Sequence, residues 1–132
     1  MRTIYSKGNL LIRKFKHCTP TVKCQLFQSF CTDMYCSQLW GKYKQSMLQQ
    51  LSVAYNNVFR YLLSIKRQCS ISQCFIKHGI YSFNVLCRKL VYSFYNRVST
   101  SDNTLVRNMA GSLYFIYASP LHKRWQSSLY TF

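Results

Sequence analysis

The side chains with chemistry to offer are eighteen Lys and Arg set against two acids, Asp33 and Asp102, with no Glu. The net charge is +16 on 132 residues. A surplus of that size destabilises a compact chain by self-repulsion unless an anion is near. Nucleic acid fits that role, because Lys and Arg displace the counterions condensed on its phosphates. The basic residues fall in clusters: Arg13-Lys14-x-Lys16-His17, Lys42-x-Lys44, Lys66-Arg67, Arg88-Lys89 and Lys123-Arg124. Any one cluster reads as an ordinary solvated face. All of them together do not, since ordinary solvated faces mix both signs. Arg88 and Tyr92 stand one helical turn apart and offer a guanidinium for phosphate and a ring for stacking. The candidate nucleic-acid-binding residues are therefore Arg13, Lys14, Lys16, Arg88, Lys89 and Tyr92. With no RNP signature, zinc-finger spacing or basic-zipper heptad, the expected partner is RNA or DNA backbone rather than a base sequence.

The same composition argues against other chemistry. Paired-carboxylate acid/base catalysis and polymerase-type magnesium sites need several acids. Nucleophilic catalysis needs a Cys or Ser with a base and an orienter. His17 and Cys18 are adjacent, but neighbouring helical residues diverge, and no nucleophile elbow, P-loop or dinucleotide fingerprint surrounds them. The seven cysteines include no C-x-x-C pair. Cys31/Cys36 and Cys69/Cys74 have C-x4-C spacing, which points the two thiols of a helix well apart. Structural zinc prefers tighter ligand pairs, and a free Cys behaves as a small buried hydrophobe. No enzyme activity, no metal and no cofactor are expected.

The elements that must position the basic residues are helices. Gly (four) and Pro (two) are scarce, aromatic residues are dense, and no segment alternates at period two. In residues 2–17, Ile4, Leu11 and Phe15 share a face opposite Arg2, Arg13 and Lys16, and Gly8 in the apolar stripe lets a neighbour approach closely. Thr19-Pro20 starts the next helix as N-cap and first residue. Residues 21–40 carry few charges. Val22, Leu26, Phe30 and Met34 recur there at four-residue spacing, and Phe27, Cys31 and Tyr35 widen the stripe. This segment is expected to be the buried central helix, ended by Gly41. Ser46 is expected to cap a helix running to about Ser64, with Leu48, Leu51, Tyr55, Val58, Phe59 and Leu62 as its stripe. Ser70 and Gln73 have capping-box spacing, and Gly79 is the stop. Ser82 opens a helix to about Ser99 with Phe83, Leu86, Cys87, Leu90, Val91 and Phe94 inward. Asp102 or Asn103 caps a short helix ended by Gly111. The expectation is an all-α bundle of four to six helices over residues 1–111, with an aromatic extension at 112–132.

Four segments in order carry a resemblance: GNLLIRKFKHC (8–18), VKCQLFQSFCTDMYCSQLW (22–40), LSVAYNNVFRYLLSI (51–65) and LCRKLVYSFYNRV (86–98). Together they resemble the C-terminal region of LINE-type (non-LTR) retrotransposon reverse transcriptases, and HKRWQSSLYTF resembles the end of such a reading frame. The resemblance implies a helical thumb that holds a template–primer duplex through its backbone. The palm's pair of adjacent Asp after a Tyr is absent, so what is implied is a detached thumb, not a polymerase. Two alternatives stand beside nucleic-acid binding. One is a helical module seated on a protein partner, such as a reverse-transcriptase palm. The other is a decayed fragment. Exposed apolar patches on the fold would favour these alternatives. The N-terminus lacks the apolar stretch of a secretory signal and no run reaches the length that crosses a bilayer. An intracellular chain with no transmembrane segment is expected.

Overall fold

The computed structural model describes residues 2–32, 34 and 44–130, without the side chains of Arg124, Ser128, Leu129 and Tyr130. The described residues form eight helices and no strand: α1 (Arg2–Lys14), α2 (Pro20–Cys31), α3 (Gln45–Leu63), α4 (Ile71–His78), α5 (Phe83–Ser99), α6 (Thr104–Gly111), α7 (Leu113–Ala118) and α8 (Pro120–Tyr130). The fold is all-α: among the described residues six helices lie within residues 2–111, matching the four to six expected there, and two more follow. The additional ones lie in residues 113–130, where hydrophobic periodicity is poor but local start signals are present. The Ser112 hydroxyl accepts from the Phe115 amide (3.2 Å), and Pro120 occupies the first turn of α8. Contacts divide the chain into two compact units. Of the described residues, those up to Leu86 belong to the first and those from Cys87 onward to the second.

In the first unit α3 is the centre. Ala54, Tyr55, Val58, Phe59 and Leu62 are buried along it. Phe27 of α2, Phe75 of α4 and Phe83 at the start of α5 pack their rings around Tyr55 and Phe59, at centroid distances of 4.8–6.0 Å. The Tyr55 hydroxyl donates to the Tyr81 carbonyl (2.8 Å), which satisfies the one polar atom of that buried ring. The expectation that residues 21–40 hold the most buried helix is thus corrected. Helix α2 ends at Cys31 and buries only Cys24, Phe27 and Cys31, while Val22 and Phe30 are exposed. The stripe that packs is turned from Val22-Leu26-Phe30 by roughly 100°, one residue's rotation on a helix. Met34 is buried; Tyr35 and Gly41 lie outside the described residues.

Caps separate in the same way. Thr19 accepts from the Val22 amide with Pro20 following, and Gly79 ends α4 in the left-handed region at φ 64°. Asn103, not Asp102, accepts from the amides of Leu105 and Val106 (2.9 and 3.3 Å). Two serines do not cap as expected. Helix α3 starts after Lys44, so Ser46 lies inside its first turn, and Ser70 has N-cap dihedrals without a side-chain bond.

Helix α1 meets α3 at Gly8. A Cβ there would stand 2.5 Å from Val58 Cγ1. Gly8→Ala gains about 1 kcal/mol of helix propensity but incurs overpacking of roughly 1–3 kcal/mol. A net loss of stability is expected. In a Val58→Ala background the clash is gone, and Gly8→Ala should become neutral or stabilising. A denaturant-melt double-mutant cycle checks this; additive changes would mean that the two residues do not meet.

In the second unit Val91, Phe115 and Trp125 are buried together, with Phe94, Tyr95, Val98 and Leu121 packed around them. The core joins α5, α7 and α8.

Candidate nucleic-acid interface

The six candidate side chains are all exposed. Arg13 and Lys14 occupy the last turn of α1, the end of the macrodipole that favours cations. Lys16 follows in a turn held by the Phe15 amide on the Leu11 carbonyl (2.9 Å) and the Cys18 amide on the Phe15 carbonyl (3.2 Å). Ile4, Gly8 and Leu11 bury the other face of α1. The amphipathic pattern therefore directs these three cations to solvent.

Arg88, Lys89 and Tyr92 lie on α5. Leu86 and Val91 are buried, and Tyr92 is 53% exposed. Arg88 and Tyr92 sit one turn apart, which places a planar donor fork beside a ring available for stacking. Arg13, Lys14 and Lys16 belong to the first unit, and Arg88, Lys89 and Tyr92 to the second. Each group of three therefore falls within a single unit.

One positioning residue has no clear sequence signal. Arg60, which periodicity places only off the stripe of α3, donates through Nη1 to the Lys66 carbonyl (2.8 Å) and through Nη2 to the Cys69 carbonyl (2.9 Å). Its fork fastens the α3–α4 connection in which Lys66 and Arg67 are exposed. Lys44 and Lys123 are also exposed. Arg97 leans over the Phe94 ring, 5.9 Å from its centroid. Lys42 and the Arg124 side chain lie outside the described residues. Asp102, exposed ahead of α6, is the only acidic side chain among the described residues. Nothing else acidic there offsets the basic faces.

The cysteines are poor nucleophiles and ligands where they are buried. Burial pushes the Cys31 thiol up to about 11, against a smaller opposite pull from Lys7, and burial also raises Cys24. Both are thiols rather than thiolates near neutral pH. Among the described residues no three His, Cys, Asp or Glu side chains gather where a metal ion could sit. Two buried ring nitrogens on α8, His122 Nδ1 and Trp125 Nε1, have no hydrogen-bond partner among the described residues. Both belong to the second unit's aromatic core, where Phe115 packs against each. Comparison with known proteins matches no family model, no curated protein and no solved structure.

Proposed function

We propose that this chain binds nucleic-acid backbone through its basic helical faces, as a thumb-like segment of the LINE-type reverse-transcriptase kind. The observation that carries the reading is the exposure of all six candidate side chains in a chain of net charge +16. The ordered four-segment resemblance supplies the thumb-like origin and the duplex as ligand. Guanidinium and ammonium groups contact phosphates in this reading, and Tyr92 stacks on an exposed base or sugar face. The binding neutralises charge that would otherwise oppose the compact state.

Each phosphate contact contributes a slope of about −0.9 in log K against log salt on duplex DNA. Taken unit by unit, the three basic contacts of the first unit give a slope of about −2.7 and the two of the second about −1.8 on that basis. The double change Arg88→Ala and Lys89→Ala should flatten the slope by up to about 2, with equal loss on every sequence. Its helicity should persist, because the buried Phe83, Leu86 and Val91 are untouched. An unchanged salt slope in the folded double variant would defeat the role of α5.

A second reading, in which helices seat on another surface, draws on a different observation. Leu105, Met109, Leu113, Tyr114 and Tyr117 are each more than half exposed on α6 and α7.

A further inference from the structure

Helix α6 buries none of its residues. Eight residues are too few for an isolated helix to be stable in water, and its inward contacts come from the half-buried Val106 and Ala110. Its large apolar side chains face out: Leu105 is 78% exposed and Met109, one turn later, 54%. Helix α7 repeats the pattern, with Leu113 at 73%, Tyr114 at 78% and Tyr117 at 70%. Arg107 is exposed on the other flank of α6, roughly 160–200° round the helix from Leu105 and Met109, and Lys123 is exposed on α8 of the same unit.

We infer that α6 and α7 dock this chain onto an anionic lipid bilayer, the five apolar side chains entering the headgroup–acyl boundary while Lys and Arg hold lipid phosphates. Apolar insertion and attraction to anionic lipid add together in such binding. Tyr114 and Tyr117 suit the interface, where an amphipathic ring keeps its hydroxyl wet. Other occupants fit less well. Leu105, Met109 and Leu113 have neither a ring to stack on a base nor a donor for phosphate, so nucleic acid does not account for them. A second copy brings its own charge of +16, and the two would repel. An acidic protein groove would have to match side chains on two short helices broken at Ser112, whereas a fluid interface accepts them without a preformed shape. Among the described residues no helix is long and apolar enough to cross a membrane; the docking inferred is onto the bilayer surface.

The test is co-sedimentation of the full chain with phosphatidylcholine vesicles, with or without phosphatidylserine. Binding should need phosphatidylserine and fall as salt rises. Leu105→Ser with Leu113→Ser leaves the charge unchanged and removes two exposed side chains. It should weaken vesicle binding by about tenfold or more, about 1.4 kcal/mol at the least, while duplex nucleic-acid binding stays at the parent level. Tyr114→Ala with Tyr117→Ala is the second variant and should act the same way if the first loses helicity. Failure of the parent to sediment with phosphatidylserine vesicles overturns the proposal and leaves an acidic protein as the occupant. Folded variants that sediment like the parent also overturn it, because binding is then charge alone. Neither result bears on the basic faces of α1 and α5, which the salt titration tests separately.

Discussion

Phe59→Ala should destabilise the first unit by about 3–5 kcal/mol, whereas Phe30→Ala should change its stability by less than about 0.5 kcal/mol. Both residues are phenylalanines on neighbouring helices, so the contrast isolates packing from residue type. Phe59 is fully buried and lies 5.1 Å from the Phe27 ring, 4.8 Å from Phe75 and 6.2 Å from the His78 ring. Truncation removes the ring's transfer free energy and leaves a cavity among rigid aromatic neighbours that cannot collapse to fill it. Phe30 is 49% exposed and has much less to lose. A loss of that size is a large share of the roughly 5–15 kcal/mol that holds a domain folded. Urea melts followed by helicity measure both variants. If Phe30→Ala were the more damaging, α2 and not α3 would be the centre.

That contrast also locates where the sequence was legible. The clean three- and four-residue spacing of Tyr55, Val58, Phe59 and Leu62 marks the buried stripe of α3; those four are inside together with Ala54, while Leu48 and Leu51 of the same expected stripe are only half-buried. Residues 21–40 looked more central because they lack charge. Scarcity of charge is not burial: Gln25, Gln28 and Ser29 on α2 are exposed and neutral. Gln28 even reaches out to donate to the Gly79 carbonyl (3.2 Å). Thr19-Pro20, Gly79 and Asn103 were legible as helix ends because their chemistry is local. Ser46 and Ser70 were misplaced because a hydroxyl near a helix start caps only if it reaches an amide. Gly8 was legible as a point of close approach, but only the structure names Val58 as what approaches.

The candidate interface divides similarly. Which cations face water follows from amphipathicity, and the exposure of Arg13, Lys14, Lys16, Arg88 and Lys89 agrees with it. The role of Arg60 does not follow, because its partners are backbone carbonyls in a connection whose path no periodicity describes. The outward Leu and Tyr residues of α6 and α7 were hidden for the opposite reason. An aromatic, apolar stretch without a clean period resembles core, and only the packing of its neighbours shows which side chains are left over.

Among the described residues the second unit has far fewer buried side chains than the first, and Trp125→Ala should therefore undo it. Trp125 is 1% exposed, and its indole meets Phe94 at 5.6 Å, Tyr95 at 5.5 Å and Phe115 at 5.8 Å, all edge-on. Among the described residues, the buried Val91 and Phe115 pack with it, and the buried His122 ring lies against Phe115. Truncation of a buried Trp costs about 3–5 kcal/mol, and each of these edge-on ring pairs adds about 0.5–1.5 kcal/mol beyond area burial. Few remaining contacts could absorb that loss, so amides of α7 and α8 should lose hydrogen-exchange protection together. Trp125→Phe separates packing from polarity. It keeps a ring in place and removes Nε1, a buried donor with no partner among the described residues. A buried unsatisfied donor costs about 1–3 kcal/mol, so its removal offsets part of the lost volume, and Trp125→Phe should be far milder than Trp125→Ala. Comparable losses in the two variants would mean that the indole nitrogen is satisfied in solution and that its bond, rather than ring packing, holds α8 against α5. Protection of α7 and α8 that survives Trp125→Ala would show that this aromatic cluster is not the core of the second unit.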